Sequence, residues 1–149
     1  METLNSLKDR FNELLAEHNL KPSVLALKLN IPKNTLCRYA RGAQMPNLKM
    51  AMLLSDYFGC SIDYLLGRTD SNCNFKPQDA KPFKERFPFL LQQFKTNKYR
   101  IAKETNLHSS ILYRWQNGNC SPELDSLIIL ADHFDCSVEY LIGRSNNIW

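Results

Sequence analysis

The stretch LALKLNIPKNTLCRYARG, from Leu25 to Gly42, contains two short helical patterns separated by a break. The break falls at Asn30–Pro32, because the residue before a proline is disfavoured in the helical region. The second pattern ends at Gly42, since glycine commonly terminates a helix just after basic residues. The same arrangement returns 76 positions later as IAKETNLHSSILYRWQNG, from Ile101 to Gly118. Two short helices joined by a tight turn are therefore predicted twice.

An internal repeat covers most of the 149-residue chain. Leu7–Thr69 aligns with Phe83–Ser145 without a gap, and 21 of the 63 aligned positions are identical, which indicates the duplication of one unit. The segment TDSNCNFKPQDAKP between the copies is polar and contains two prolines, which is typical of a linker. We therefore predict two domains, at 1–69 and 83–146, joined by a linker at 70–82 and followed by a C-terminal tail at 147–149.

Each copy is predicted to form five short helices and no strand, so the fold class is all-α. In the first copy, apolar residues recur at helical spacing along the first helix, namely Leu4, Leu7, Phe11, Leu14 and Leu15. Ser61 is expected to cap the fifth helix, because a serine oxygen can accept from an N–H group of the first turn. In the second copy Pro88 falls within the first helical pattern, so that helix is expected to begin or kink near Pro88.

The composition is that of an ordinary globular protein, with 44% hydrophobic and 23% charged residues and a net charge of +4. No apolar run has the length of a membrane helix, and the N-terminal METLNSLKDRF carries charges where a signal peptide needs an apolar core. The predicted location is the cytoplasm, without a membrane partner. Five cysteines that lack the Cys-x-x-Cys spacing predict neither disulfides nor a metal site, and Cys60 and Cys136 are expected to be buried packing residues. His133 and Cys136 alone are too few ligands for a metal. No cofactor is predicted, and no small-molecule ligand is evident from the sequence.

The two copies resemble the helix-turn-helix family of Cro and the phage repressors, in its Xre-like form. The resemblance is carried by LALKLNIPKNTLCRYARG and CSIDYLLGRTD in the first copy, and by IAKETNLHSSILYRWQNG and CSVEYLIGRSN in the second. It implies two tandem lambda-repressor-like domains, each with a third helix that enters the DNA major groove. The chain departs from the family pattern at three paired positions, which are Pro22 and Lys98, Pro32 and His108, and Ala40 and Gln116.

The resemblance also implies which residues contact DNA. The first turn of the third helix would face base edges, through Lys33, Asn34 and Cys37 in the first copy and Ser109, Ser110 and Tyr113 in the second. Lysine can reach guanine and asparagine can make two bonds to adenine, whereas serine discriminates poorly. Thr35, Arg38 and Arg41 would serve phosphates or flanking bases. The full predicted contact set is Lys21, Ser23, Lys33, Asn34, Thr35, Cys37, Arg38, Arg41, Lys98, Ser109, Ser110, Tyr113 and Arg114.

The charge distribution favours the first copy as the DNA-binding surface. Lys21–Lys49 carries six basic residues and no acid, whereas the aligned Asn97–Asp125 has four basic residues and three acids. Because phosphate neutralisation supplies most non-specific affinity, this difference bears directly on binding. Other residues are expected to have structural roles: Leu36, Tyr39, Leu112 and Trp115 as core, Asp132, Asp135 and Glu139 as a solvated helix face, and Arg68 and Arg144 as partners of a helix C-terminal dipole.

These features predict a sequence-specific regulator of transcription that binds double-stranded DNA, most simply a repressor of bacterial or phage type. An enzyme is disfavoured, because none of the three histidines stands beside a plausible nucleophile with an orienting acid. The alternative is a protein–protein interaction or inhibitor module built on the same fold. Two arrangements stay open: one chain with two reading heads, or a homodimer in which the second copy mediates association. Ile148 and Trp149 belong either to an interface or to a tail packed on its own domain.

Overall fold

The computed structural model describes residues 2–71 and 75–149, and the chain divides into two compact units at Phe75/Lys76. Within the described residues all regular structure is helical, with ten α-helices and no strand. The prediction of an all-α fold with five helices in each half is therefore confirmed. None of these helices combines the length and apolar character needed to cross a membrane.

The first unit contains five helices whose ends follow local sequence signals. They are α1 Glu2–Glu17, α2 Pro22–Leu29, α3 Lys33–Arg41, α4 Leu48–Phe58 and α5 Ile62–Leu65. Helix α2 ends because Asn30 adopts the left-handed conformation with φ 55°, and α3 ends at Gly42 with φ 71°. The Ser61 side chain accepts from Tyr64 N, so the predicted cap of α5 is confirmed.

The core of the first unit forms around α1 and α3. Leu7, Phe11 and Leu14 lie on one face of α1 and are almost completely buried, as the apolar spacing predicts. Leu36 and Tyr39 of α3 are 0% and 2% exposed, so their predicted core role is confirmed. The Phe11 ring meets the Phe58 ring edge to face at 6.3 Å.

The second unit contains α6 Phe83–Gln93, α7 Lys98–Glu104, α8 Ser109–Asn117, α9 Leu124–Phe134 and α10 Val138–Leu141. The last three begin and end 76 positions after α3, α4 and α5. Leu112 and Trp115 are 0% and 1% exposed, as predicted for core residues. Trp115 packs edge to face against the Phe83 and Phe87 rings at 5.6 and 5.7 Å.

Helix α6 begins at Phe83, five residues before Pro88, so of the two alternatives a helix start near Pro88 is wrong, whereas a kink at Pro88 stays a prediction. The reason is tertiary packing, because Phe83, Phe87 and Leu90 are buried on one face that runs past the proline. Pro88 itself is exposed. The helix therefore accommodates a proline that removes one backbone hydrogen bond, on the side that faces water.

A buried ion pair joins the short last helix of each unit to an arginine three residues beyond the end of that helix. In the second unit the Arg144 Nε atom lies 3.4 Å from Glu139 Oε2, and both side chains are 2% exposed. The interpretation of Glu139 as a solvated acid is therefore wrong. A helix of a single turn has no apolar periodicity from which its inward face can be read. In the first unit Arg68 pairs with Asp63, so both arginines have a specific carboxylate partner as well as a helix end.

The segments that flank the second unit pack on that unit. Gln78 N donates to Arg144 O at 2.9 Å and Lys81 N donates to Ile142 O at 3.1 Å. The later part of the predicted linker 70–82 is thus attached to the residues that follow α10, while Asn72–Asn74 lie outside the described residues. At the C-terminus, Ser137 N donates to Ile148 O and Trp149 Nε1 donates to Asp135 O at 3.0 Å. The tail is therefore packed on its own unit, whereas the bounds of the two domains stay a prediction.

Candidate nucleic-acid interface

Helices α2 and α3 form a pair joined by a three-residue turn, Asn30–Pro32. Ile31 N donates to Ala26 O at 2.9 Å, which closes the end of α2 before the chain reverses. Leu25 and Ala26 of α2 are buried, as are Leu36 and Tyr39 of α3. The pair is thus fixed by its apolar faces, and the opposite face of α3 is left toward solvent.

Helix α3 carries most of the residues of the first unit that were predicted to contact DNA. Lys33, Asn34, Arg38 and Arg41 are exposed, and Thr35 and Cys37 are half-buried between them. Residues three or four positions apart are neighbours on a helix, so Asn34, Arg38 and Arg41 follow one line along the surface. The structure therefore brings these six predicted residues together on a single helix.

The remaining predicted contacts of the first unit lie at the start of α2. Lys21 is exposed in an extended conformation just before Pro22, and Ser23 is half-buried in the first turn. The charged residues of α2, α3 and the turn between them are all basic. The described acids of the first unit lie on other elements or in the segment after α5, namely Glu2, Asp9, Glu13, Glu17, Asp56, Asp63 and Asp70.

Helix α1 holds the C-terminal end of α3 in place. Asn12 Nδ2 donates to Ala40 O and to Lys8 O, both at 2.9 Å. Ala40 O is one of the last four carbonyl groups of α3, which have no partner within the helix. Sequence reasoning missed this contact, since nothing in the local pattern around Asn12 announces a bond to a residue 28 positions away. In the second unit the aligned residue is Pro88, whose ring offers no donor.

The second unit presents a different surface on α8. Ser109, Ser110, Tyr113 and Arg114 are exposed there, as predicted contacts should be. Lys98 of α7, however, is engaged within the unit, because its Nζ atom donates to Gln116 Oε1 and lies 4.3 Å from the centre of the Tyr113 ring. A cation that is held over an aromatic ring and by an amide is partly withdrawn from other partners.

Acidic residues stand at the start of α9, where the first unit is neutral or basic. Glu123 and Asp125 are exposed at that helix start. The aligned residues in the first unit are Asn47, whose side chain accepts from Met50 N at 2.8 Å, and Lys49. Two carboxylates near a phosphate backbone would repel it, so the α8 and α9 side of the second unit is the less favourable nucleic-acid surface.

The described residues contain no group of three or more His, Cys, Asp or Glu side chains placed to hold a metal ion. In this region, burial shifts the pKa of one aromatic side chain of α3. It raises the pKa of the Tyr39 phenol, which lies beneath the exposed face of α3.

Comparison with known proteins bears on the first unit. Residues 12–65 match the family model described as helix-turn-helix, and the match spans all of α2, α3 and α4. Neither a search of curated proteins nor a search of solved structures finds a significant match to the chain.

Proposed function

We propose that the chain is a sequence-specific regulator of transcription that inserts α3 into the major groove of double-stranded DNA, and the match of residues 12–65 to the helix-turn-helix family model supports this proposal. It acts as a repressor of bacterial or phage type, in the cytoplasm. The observation that carries the proposal is the exposed face of α3, where Lys33, Asn34, Arg38 and Arg41 project from a helix that contains no acid.

The side chains on this face divide into base readers and phosphate binders. Lys33 and Asn34 lie in the first turn, where a helix that enters the groove contacts base edges. Lysine can donate to guanine O6 and N7, and asparagine can bond adenine through N6 and N7. Arg38, Arg41 and Lys21 bind phosphates, which position the protein without reading sequence.

The test replaces both base readers and leaves the phosphate binders in place. A preferred duplex is first selected with the wild-type chain from a random library. The Lys33→Ala, Asn34→Ala variant is expected to lose about 1 to 3 kcal/mol per base contact on that duplex, while binding to an unrelated duplex falls only by the loss of one charge. The matched control is Ser109→Ala, Ser110→Ala, at the same positions of α8. Unchanged sequence preference in the first variant would overturn the assignment.

For the second unit we propose a different function, namely that it holds two copies of the chain together as a homodimer. Two observations favour it: Lys98 is engaged with Tyr113 and Gln116, and Glu123 and Asp125 occupy the start of α9. A homodimer of this kind reads a palindromic site twice, each time through the first unit. The competing arrangement is a single chain whose two units read unlike half-sites.

Stoichiometry on the selected duplex separates the two arrangements. The proposal expects two chains per palindrome, and it expects a Ser109→Ala, Ser110→Ala, Arg114→Ala variant to bind as the wild type does. One chain per site, with binding lost in that variant, would instead make Ser109, Ser110 and Arg114 part of a second reading surface.

A further inference from the structure

Lys8 of α1 lies against the residue that ends α3. Gly42 adopts the left-handed conformation with φ 71°, and a Cβ atom added at this glycine would lie 3.0 Å from Lys8 Cδ and 3.5 Å from Lys8 Cβ. The methylene stem of Lys8 therefore occupies the space that the absence of a side chain at Gly42 leaves open. Asn12, one turn further along α1, bonds both Lys8 O and Ala40 O, so the contact between α1 and the end of α3 is fixed at two points.

The second unit repeats this packing. A Cβ atom added at Gly118 would lie 2.9 Å from Lys84 Cδ, and Lys84 and Gly118 stand 76 positions after Lys8 and Gly42. The packing alone is therefore a property of both units. Lys8 and Lys84 are thus a matched pair whose surroundings differ in charge. The segment Lys21–Lys49 around α3 has no acid, whereas Asn97–Asp125 around α8 has three acids beside four basic residues.

The length of α3 places Lys8 relative to DNA. Nine residues at a rise of about 1.5 Å give a helix roughly 13 Å long, close to the width of about 12 Å of the major groove. If the first turn of α3 contacts bases, its C-terminal end lies near the edge of the groove, where the phosphates are. Lys8 and Arg41 both stand at that end, one from α1 and one from α3.

We propose that Lys8 is a phosphate-binding residue of the interface, positioned by the space at Gly42 and paired in function with Arg41 across the end of α3. The proposal rests on the proposed DNA-binding function. A purely structural role is the competing explanation, because a cation beside a helix C-terminus also offsets the helix dipole.

The test uses the full chain and the Lys8→Met variant, which keeps an unbranched stem against Gly42 and removes the charge. Binding is measured from low to moderate salt on the selected duplex and on an unrelated duplex of equal length. Loss of one phosphate contact is expected to weaken binding about fivefold to tenfold at 0.1 M salt on both duplexes, and to reduce the slope of log K against log salt by about 0.9. Lys8→Arg is expected to retain the wild-type slope.

The Lys84→Met variant is the matched control, and it is expected to leave the slope unchanged. Thermal unfolding of Lys8→Met checks that the variant is folded, and if it is not, Lys8→Gln is measured in its place. A folded variant with the wild-type slope, or a loss confined to the selected duplex, would overturn the role of Lys8 alone. Absence of salt-dependent duplex binding by the wild-type chain would overturn the proposed function, and this inference with it.

Discussion

Helices α3 and α8 occupy matching positions in two repeated units, yet they present different kinds of surface. Each spans nine residues, ends at a glycine and is anchored by two buried side chains. The exposed face of α3 is basic along its length, whereas α8 offers serines, an aromatic ring and a single arginine. The two units each carry a net charge of +2, so the difference lies in where the charges stand and not in how many there are.

Between the two units, the buried positions of α3 and α8 have diverged less than the exposed positions. The buried pair Leu36 and Tyr39 in α3 is matched by Leu112 and Trp115 in α8, an apolar pair of larger volume. The exposed positions differ in chemistry. For example, Lys98 donates a hydrogen bond to Gln116 and lies over the Tyr113 ring of its own unit. Because the exposed face changes from basic to largely uncharged while the buried pair stays aromatic and aliphatic, the comparison supports the proposal that the two units bind different partners.

Removal of the buried carboxylate is expected to give the largest effect, and a larger one in the second unit. Glu139→Ala leaves the Arg144 guanidinium buried without this partner, which should cost about 3 to 5 kcal/mol of unfolding free energy. Asp63→Ala should cost less, because the Arg68 side chain is 10% exposed and water can reach it. Both tryptophans belong to the second unit, so tryptophan fluorescence in urea follows that unit, and circular dichroism follows the whole chain.

The exposed Asp132→Ala is the control for loss of a negative charge on the same unit. Equal losses for Glu139→Ala and Asp63→Ala would show that the two ion pairs are equivalent, and the deeper burial of the second pair would then have no energetic consequence.

Replacement of the helix proline should move stability in the opposite direction. Pro88→Ala restores a backbone N–H in the middle of α6 that can bond the carbonyl group of Lys84, and it removes a ring clash. The second unit should gain about 1 to 3 kcal/mol, reduced by the greater freedom of the unfolded chain. Tryptophan fluorescence in urea is the measurement, with the exposed Gln92→Ala of the same helix as its control. A loss of stability would mean that α6 needs the backbone conformation that proline favours.

Much of this fold could be predicted from the sequence because its signals are local. The left-handed residues Asn30 and Gly42 mark helix ends, and Ser61 marks a helix start. The apolar spacing of α1 and the buried positions of α3 follow from helical period alone. These features need no knowledge of how one helix meets another.

The rest depends on contacts between distant segments. Nothing near Asn12 in sequence indicates a bond to Ala40 O, and nothing near Lys8 indicates packing against Gly42. A single helical turn is too short to show an apolar periodicity, so the sequence does not indicate that Glu139 is buried and paired with Arg144. The roles of Lys33 and Asn34 as base readers stay a prediction, since an exposed side chain does not reveal its partner.

Charge exchange at the second residue of α4 and α9 tests the difference between the two surfaces directly. Lys49→Asp should weaken binding to every duplex about tenfold at 0.1 M salt, because a phosphate-neutralising charge is replaced by a repelling one. The same change favours the α4 dipole, so weaker binding should occur without loss of stability.

Asp125→Lys, the reverse exchange in the second unit, should change duplex binding by less than about twofold if that unit associates chains. A gain comparable to the loss in Lys49→Asp would show that both units face DNA, and the proposed division of labour would be wrong.

The smallest expected effect concerns alkaline pH and the aromatic residue beneath each exposed helix. Burial raises the pKa of Tyr39 above its ordinary value of 10.0, whereas Trp115, at the matching position, has no group that titrates there. As pH rises above about 10, Tyr39 loses its proton in the unfolded chain before it does so in the folded one. The folded state then binds more protons, so this residue makes the unfolding free energy fall with rising pH, by at most about 1.4 kcal/mol per pH unit. Tyr39→Phe should remove that component, measured by urea unfolding with circular dichroism at pH 9 and pH 11. Tyr99→Phe, which removes a phenol that is 73% exposed, is the control. If the two variants share the wild-type dependence, the alkaline loss arises elsewhere, and the aromatic exchange between the units has no electrostatic consequence.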